Sequence, residues 1–212
     1  MARLASQSKA GYYPIPVEEI ERIIPHLRIN YVPGEQEYIN ALDPCCGEGE
    51  ALQIFSNAMK PVDAIRFTSY GVELEQTRFE KAAAVLDHTI HEDYALLRAN
   101  DAYSMMGLNP PYDENYKERS ELRFLRTLSG KAKNVLCKNG LLMFCIPQAV
   151  LAPCAIHLTK TFKDIRVFRF TDDFFDQFEQ VVVFGSHGSS PLTEQRKQAK
   201  HLRAQKSIRK KF

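Results

Sequence analysis

The stretch Asn109-Pro110-Pro111-Tyr112 packs three chemical capacities into four residues. The Asn109 side-chain carbonyl accepts a hydrogen bond from an amino group. The two prolines donate no backbone hydrogen bond, and their fixed φ holds their carbonyls in one direction. Tyr112 offers a flat π face for stacking. Together they suit a planar group that bears an NH2. Taken alone, the stretch also reads as a stiff exit from the apolar run Y-S-M-M-G-L that precedes it.

Three other stretches carry matching chemistry. In D-P-C-C-G-E-G-E, residues 43–50, Gly47 and Gly49 allow positive φ and close backbone approach to a ligand. A helix beginning there exposes free N–H groups. The spacing is not the G-x-x-x-x-G-K-[ST] that cradles a triphosphate. In G-V-E-L-E, Glu73 falls 30 residues after Asp43, where an acid suits two ribose hydroxyls. The alternative, a solvated Glu favoured by a helix dipole, fits Glu75 better. In N-D-A, Asp101 can accept from the exocyclic amine of adenine, although Asp is also a common turn residue.

Positioning these stretches requires strands that end where they begin. Short apolar runs at 38–44, 65–74, 94–101, 103–108, 141–147, 165–170 and 179–186 read as strands. Helical spacing over 48–60, 75–88, 117–140 and 150–162 alternates with them. Asn139-Gly140 is a helix stop, and L-L-M-F-C-I-P is apolar throughout, as inside a parallel sheet. Alternation implies βαβ units with right-handed crossovers. The fold class is therefore α/β, a Rossmann-like, seven-stranded, mostly parallel sheet with helices on both faces. The last strand follows a short link and is expected to be antiparallel. Ligands in such sheets bind beyond the carboxyl ends of the strands, where each stretch above falls.

Composition narrows the setting. The chain has 212 residues, 44% hydrophobic and 25% charged, enough for one good core. It lacks an 18-residue apolar run and an apolar leader, so neither a membrane span nor a secretory signal is expected. The five cysteines form no C-x-x-C pair, which suits a reducing cytoplasm and suggests no zinc site. His88 and His91, beside Glu92 and Asp93, read as a polar helix end rather than a metal site. The adjacent acids Asp172 and Asp173 give no glycosidase arrangement, which needs carboxylates on opposite sides of a substrate. Net charge is +2, yet residues 194–212 hold 8 Lys+Arg and one Glu, a balance of +7, so the rest stands at −5. A basic tail of that kind either meets polyanions or is a solvated terminal helix.

In this combination the chain resembles the S-adenosylmethionine-dependent methyltransferases of the N6-adenine type, over about residues 9–187. D-P-C-C-G-E-G-E resembles the family's cofactor loop, G-V-E its ribose acid, N-D-A its adenine contact and N-P-P-Y its catalytic motif. Cofactor motifs precede the catalytic one, as in the gamma arrangement. K-A-G-Y-Y-P-I-P resembles the segment that reaches the methionine part of the cofactor, but without its Thr. The resemblance implies a class I methyltransferase fold over residues 1–190 and a basic tail over 191–212. It implies S-adenosyl-L-methionine as cofactor, held by Tyr12, Tyr13, Pro14, Asp43, Pro44, Cys45, Gly47, Gly49, Glu73, Leu74, Asp101, Ala102 and Asn109. Catalysis would fall to Asn109, Pro110, Pro111 and Tyr112, with no metal.

The target implied is an exocyclic amine, N6 of adenine in DNA ahead of RNA. A glutamine side-chain amide offers the same planar grip, and a non-catalytic cofactor-binding subunit is the remaining alternative. Nucleic acid is the expected partner, in part through residues 194–212, in the cytoplasm. Only about 25 residues follow V-V-V-F-G-S-H-G, and a basic tail contacts phosphates without reading bases. Either sequence specificity is therefore expected from a further subunit, a homodimer or missing chain, or the substrate is not duplex DNA.

Overall fold

The computed structural model describes residues 13–29, 35–59, 63–112, 118–130 and 133–205. Seven strands form one sheet: β1 Glu37–Asp43, β2 Ile65–Glu73, β3 His88–His91, β4 Tyr103–Leu108, β5 Leu136–Pro147, β6 Phe162–Arg169 and β7 Gln180–His187. Their order across the sheet is 3-2-1-4-5-7-6. β1 to β5 are parallel along the sheet, and β7 runs antiparallel to both of its neighbours, β5 and β6. The antiparallel last strand and the mostly parallel sheet agree with the sequence pattern.

The sheet is buried on both faces, which is why Leu142–Ile146 tolerates continuous apolar residues. On one face lie α1 Val17–Ile23, α2 Glu50–Met59 and α3 Gln76–Ala83. They bury Ile20, Ile23, Leu52, Phe55 and Ala82 against Met105, Met143 and Cys145. On the other face lie α4 Ser120–Leu128, α5 Leu151–Thr161 and α7 Leu192–Ala204. They bury Phe124, Leu125, Leu158 and Leu202 against Met106, Leu142 and Phe144. Each such Leu or Phe contributes roughly 1.5–3 kcal/mol of burial. A short helix, α6 Asp172–Phe178, links β6 to β7.

Four expectations need correction. The run 94–101 is not a strand: Tyr94–Leu96 is a single 3-10 turn whose Asp93 Oδ1 accepts from the Ala95 N–H at 2.8 Å. The third strand is instead His-Thr-Ile-His, which is not the polar helix end expected there. As an exposed edge strand it needs no apolar alternation. The helix expected over 117–140 ends at Leu128, and 136–147 is one long strand. Asn139, at φ 63°, bulges that strand: the register passes from Tyr103 opposite Leu136 to Met105 opposite Leu141. An Asn-Gly pair supplies a left-handed position equally well to a strand bulge and to a helix end. Lastly, the body does not stop at 190. Residues 192–204 form a helix packed on α5, with Leu202 only 3% exposed.

Candidate active site

A cleft of about 470 Å³ opens at the carboxyl ends of β1, β2 and β4, within the usual size of a small-molecule site. The loops after these strands build it. After β1, the chain turns at Asp43 and uses positive φ at Gly47 (57°) and Gly49 (86°) before α2. Those values explain the two glycines, since other residues rarely adopt them. Pro44 and Cys45 from this loop line the cleft. The Cys45 N–H donates to Asp43 Oδ1 at 3.0 Å. Asp43 is 7% exposed, and burial pushes its carboxyl up to about 7. Burial also raises the thiols of Cys45 and Cys46, so neither is a thiolate nucleophile at neutral pH.

After β2, Glu73 and Leu74 line the next part of the cleft. The Glu73 carboxylate is 6% exposed. Its Oε2 accepts from the Gly47 N–H at 2.9 Å and its Oε1 from the Glu75 N–H at 2.8 Å. The Arg78 guanidinium also bonds Oε1, at 2.8 Å. Glu73 therefore ties the glycine loop to α3. A carboxylate has about four acceptor positions, so Oε2 retains capacity for a hydroxyl.

After β4, Asn109 and Pro111 reach the same cleft, and Pro110 is buried. Asn109 Nδ2 donates to the Tyr13 carbonyl at 2.6 Å. Its Oδ1 accepts from the Tyr112 hydroxyl at 3.0 Å. Burial raises the Tyr112 phenol, which stays protonated and can donate. Gln180 Nε2 donates in turn to the Tyr112 hydroxyl oxygen. The Tyr13 ring stacks on Tyr112 with centroids 5.5 Å apart and planes 12° apart. Pro14 lines a small cavity beside the cleft together with Asp43, Cys45 and Asn109.

The structure thus gathers Tyr13, Pro14, Asp43, Pro44, Cys45, Gly47, Gly49, Glu73, Leu74 and the 109–112 stretch at one sheet edge. Tyr12 lies outside the described residues. Asp101 and Ala102 do not join them, because they precede β4 and so sit at the opposite edge. There the Asp101 N–H donates to the Asn134 carbonyl and the Ala102 carbonyl accepts from Asn40. The third strand's carboxyl end presents Glu92, Asp93 and Tyr94 to the cleft instead. Tyr94 stacks on Phe124 of α4, with ring centroids 3.4 Å apart. Arg78, Arg123 and Thr127 complete that wall. The motif pattern missed these residues because the strand before Asp93 is short and polar. The readable signal was the acid pair Glu92-Asp93 followed by a small residue, Ala95. His88 and His91 serve in packing: one stacks on Tyr70, the other on Phe79. Among the described residues no helix is long and apolar enough to cross a membrane.

A 3-2-1-4-5-7-6 sheet with a glycine loop and a buried acid after its first two strands defines the class I methyltransferase fold. The chain belongs to the Uncharacterised methyltransferase family (DUF6094), whose profile matches residues 1–201. Solved structures support the fold. A proposed class I S-adenosylmethionine-dependent methyltransferase of Listeria monocytogenes superposes with a TM-score of 0.62 at 15% identity, over 75% of this chain and 56% of its own. The type I restriction-modification methyltransferase subunit of Streptococcus thermophilus gives 0.57 at 13%, over 96% and 55%. The N-terminal domain of human METTL16 gives 0.52 at 13%, over 82% and 69%. The chain therefore spans little more than half the length of the first two. No curated protein matches it in sequence.

Proposed function

We propose that this methyltransferase transfers a methyl group from S-adenosyl-L-methionine to an exocyclic amine, N6 of adenine in DNA. The observation that carries the reading is the bonding of Asn109. Tyr13 takes its amide NH2, which turns the carbonyl Oδ1 away as an acceptor. Tyr112 occupies one acceptor position of Oδ1, and a target amine can take the other.

The cofactor fits the cleft on the chemistry of its lining. Glu73 Oε2 suits a ribose hydroxyl, and the half-buried, cleft-lining Tyr94 and Asp93 suit an adenine ring and its amine. Asp43, Cys45 and the Pro14 side suit the methionine end, with its cationic ammonium near the buried carboxyl. When bound, the cofactor supplies an electrophilic methyl on sulfur. Asn109 Oδ1 and the Pro110 carbonyl then accept the two hydrogens of the target amine and leave its lone pair directed along the line of attack. Tyr112 stacks on the target ring. No strong base is needed, because the amine sheds its proton after transfer. Positioning of this kind contributes on the order of 7–11 kcal/mol. A duplex base must first leave its stack, at a cost of a few kcal/mol.

The test is transfer of labelled methyl to DNA, RNA and protein pools, with sequencing of modified bases in DNA from expressing cells. Asn109→Ala should lower transfer at least 100-fold while changing S-adenosylhomocysteine affinity by less than about threefold, since the amine's acceptor is lost while the Glu73 and Asp43 parts of the cleft keep their side chains. Label in RNA or in glutamine side chains alone would move the same chemistry to that substrate. Undiminished transfer by Asn109→Ala would contradict the assignment of the amine grip.

A further inference from the structure

The molecule carries a second concave feature besides the cleft. A groove of about 660 Å³ runs between α5 and α7, away from the cleft. Four cations line it: Lys160 on the α5 wall, and Arg196, Lys200 and Arg203 on the α7 wall. The α7 residues are spaced i, i+4, i+7, so they share one helix face, about one turn apart. Among the described residues none of the four side chains makes an ion pair or a hydrogen bond. No acid lines the groove. Like charges so close repel one another and favour an external anion. Ile156 and Leu192 in its lining are 43% and 58% exposed.

We propose that this groove holds the phosphate backbone of a nucleic acid, independently of base sequence. The proposal rests on nucleic acid being the substrate. Two features favour a phosphate strand over an acidic protein helix. The cations stand on both walls, so they can clasp a linear anion from two sides. The sequence after the helix then adds Lys206, Arg209, Lys210 and Lys211 with no acid, a run suited to a continuous polyanion. Direction also fits. α5 leaves the site edge after β5 and ends where β6 begins, and α7 starts beyond the end of β7 at that far edge. α7 then packs along α5, so Arg203 lies toward the site edge and Arg196 away from it. A backbone in the groove would run toward the cleft. The groove has no aromatic residue in its lining, so it offers phosphate contact without base stacking.

The experiment uses the full chain and a fluorescent 24-base-pair DNA duplex, with the matching RNA duplex and poly-L-glutamate as further probes. Affinity is measured by anisotropy from 50 to 300 mM KCl. The variant neutralises Lys160→Gln, Arg196→Gln, Lys200→Gln and Arg203→Gln together. The control neutralises four exposed cations outside the groove, Arg22→Gln, Arg66→Gln, Lys138→Gln and Lys197→Gln, with the same change in net charge. The salt slope of log K should become shallower by about 3–4 in the groove variant, and affinity at 50 mM should fall at least 30-fold. The control should move the slope by less than about one. Equal effects of the two variants would overturn the proposal, and so would tighter binding of poly-L-glutamate than of either duplex. Lys160→Gln alone, on the α5 wall, should lower the slope by about one and keeps the test open should the fourfold variant not fold. S-adenosylhomocysteine binding is read in parallel. A groove effect on the duplex without any methyl transfer would sink the substrate reading and leave the groove, while transfer indifferent to the groove would do the reverse.

Discussion

At the scale of single residues, Asn109 is held directly by Tyr13 and Tyr112, and through Tyr112 by Gln180. Tyr13 precedes α1, Tyr112 follows β4 and Gln180 opens β7. The 109–112 stretch, Gly47, Gly49 and Glu73 were legible in sequence because each has a distinctive residue type in a fixed place after a strand. Gln180 was not, because a lone Gln at a strand start carries no pattern and its role depends on packing at long range. The hydroxyl of Tyr112 links it to Asn109, and this separates two functions of one side chain. Tyr112→Phe keeps the ring for stacking and removes the donor to Oδ1. Under the proposed chemistry kcat should fall about five- to tenfold, the worth of one hydrogen bond, with KM for the nucleic acid nearly unchanged. Steady-state kinetics on a labelled duplex decides it. An unaltered kcat would mean that the hydroxyl does not tune Asn109.

At the scale of elements, the sequence pattern succeeded where an element has to be buried and failed where it does not. β1, β2, β4 and the apolar half of β5 announce themselves, because both of their faces are covered. β3 is an edge of four residues with two histidines, and the more apolar run that follows it carries the stronger strand pattern. That one misplacement put the expected adenine contact at Asp101, which lies at the sheet edge opposite the cleft. The basic C-terminal segment is another case. Its charge suggested a tail, yet Leu202 makes it part of the core. Leu202→Ala should cost about 2–4 kcal/mol of stability, as for other buried leucines. Urea unfolding measures this, and S-adenosylhomocysteine affinity at 25 °C should not change. A cost below about 0.5 kcal/mol would mean that the helix is not docked on α5.

At the scale of the whole molecule, the site is built at the expense of stability, and Asp43 is where the two meet. Burial raises its carboxyl from 3.8 to about 7. Between those values the folded state holds a proton that the unfolded state has lost. Stability of the ligand-free protein therefore falls as pH rises from about 4 to 7, by on the order of 4 kcal/mol from this group. Above pH 7 the folded protein carries a buried charge that has lost water. A cationic ammonium beside it would restore that loss. Ligand affinity should thus rise with pH up to about 7 and then level off, with proton release on binding below that point. Asp43→Asn keeps an oxygen for the Cys45 N–H and removes the charge. Its melting temperature should exceed that of the native protein at pH 8 and converge with it near pH 4, with each kcal/mol worth about 2–4 °C in a chain of this size. S-adenosylhomocysteine should then bind the variant weakly at every pH. Thermal melts from pH 4 to 8, with and without that ligand, test both halves at once. Parallel pH slopes for the two proteins would show that Asp43 is already ionised in the free fold, and that its place beneath the glycine loop has another cause.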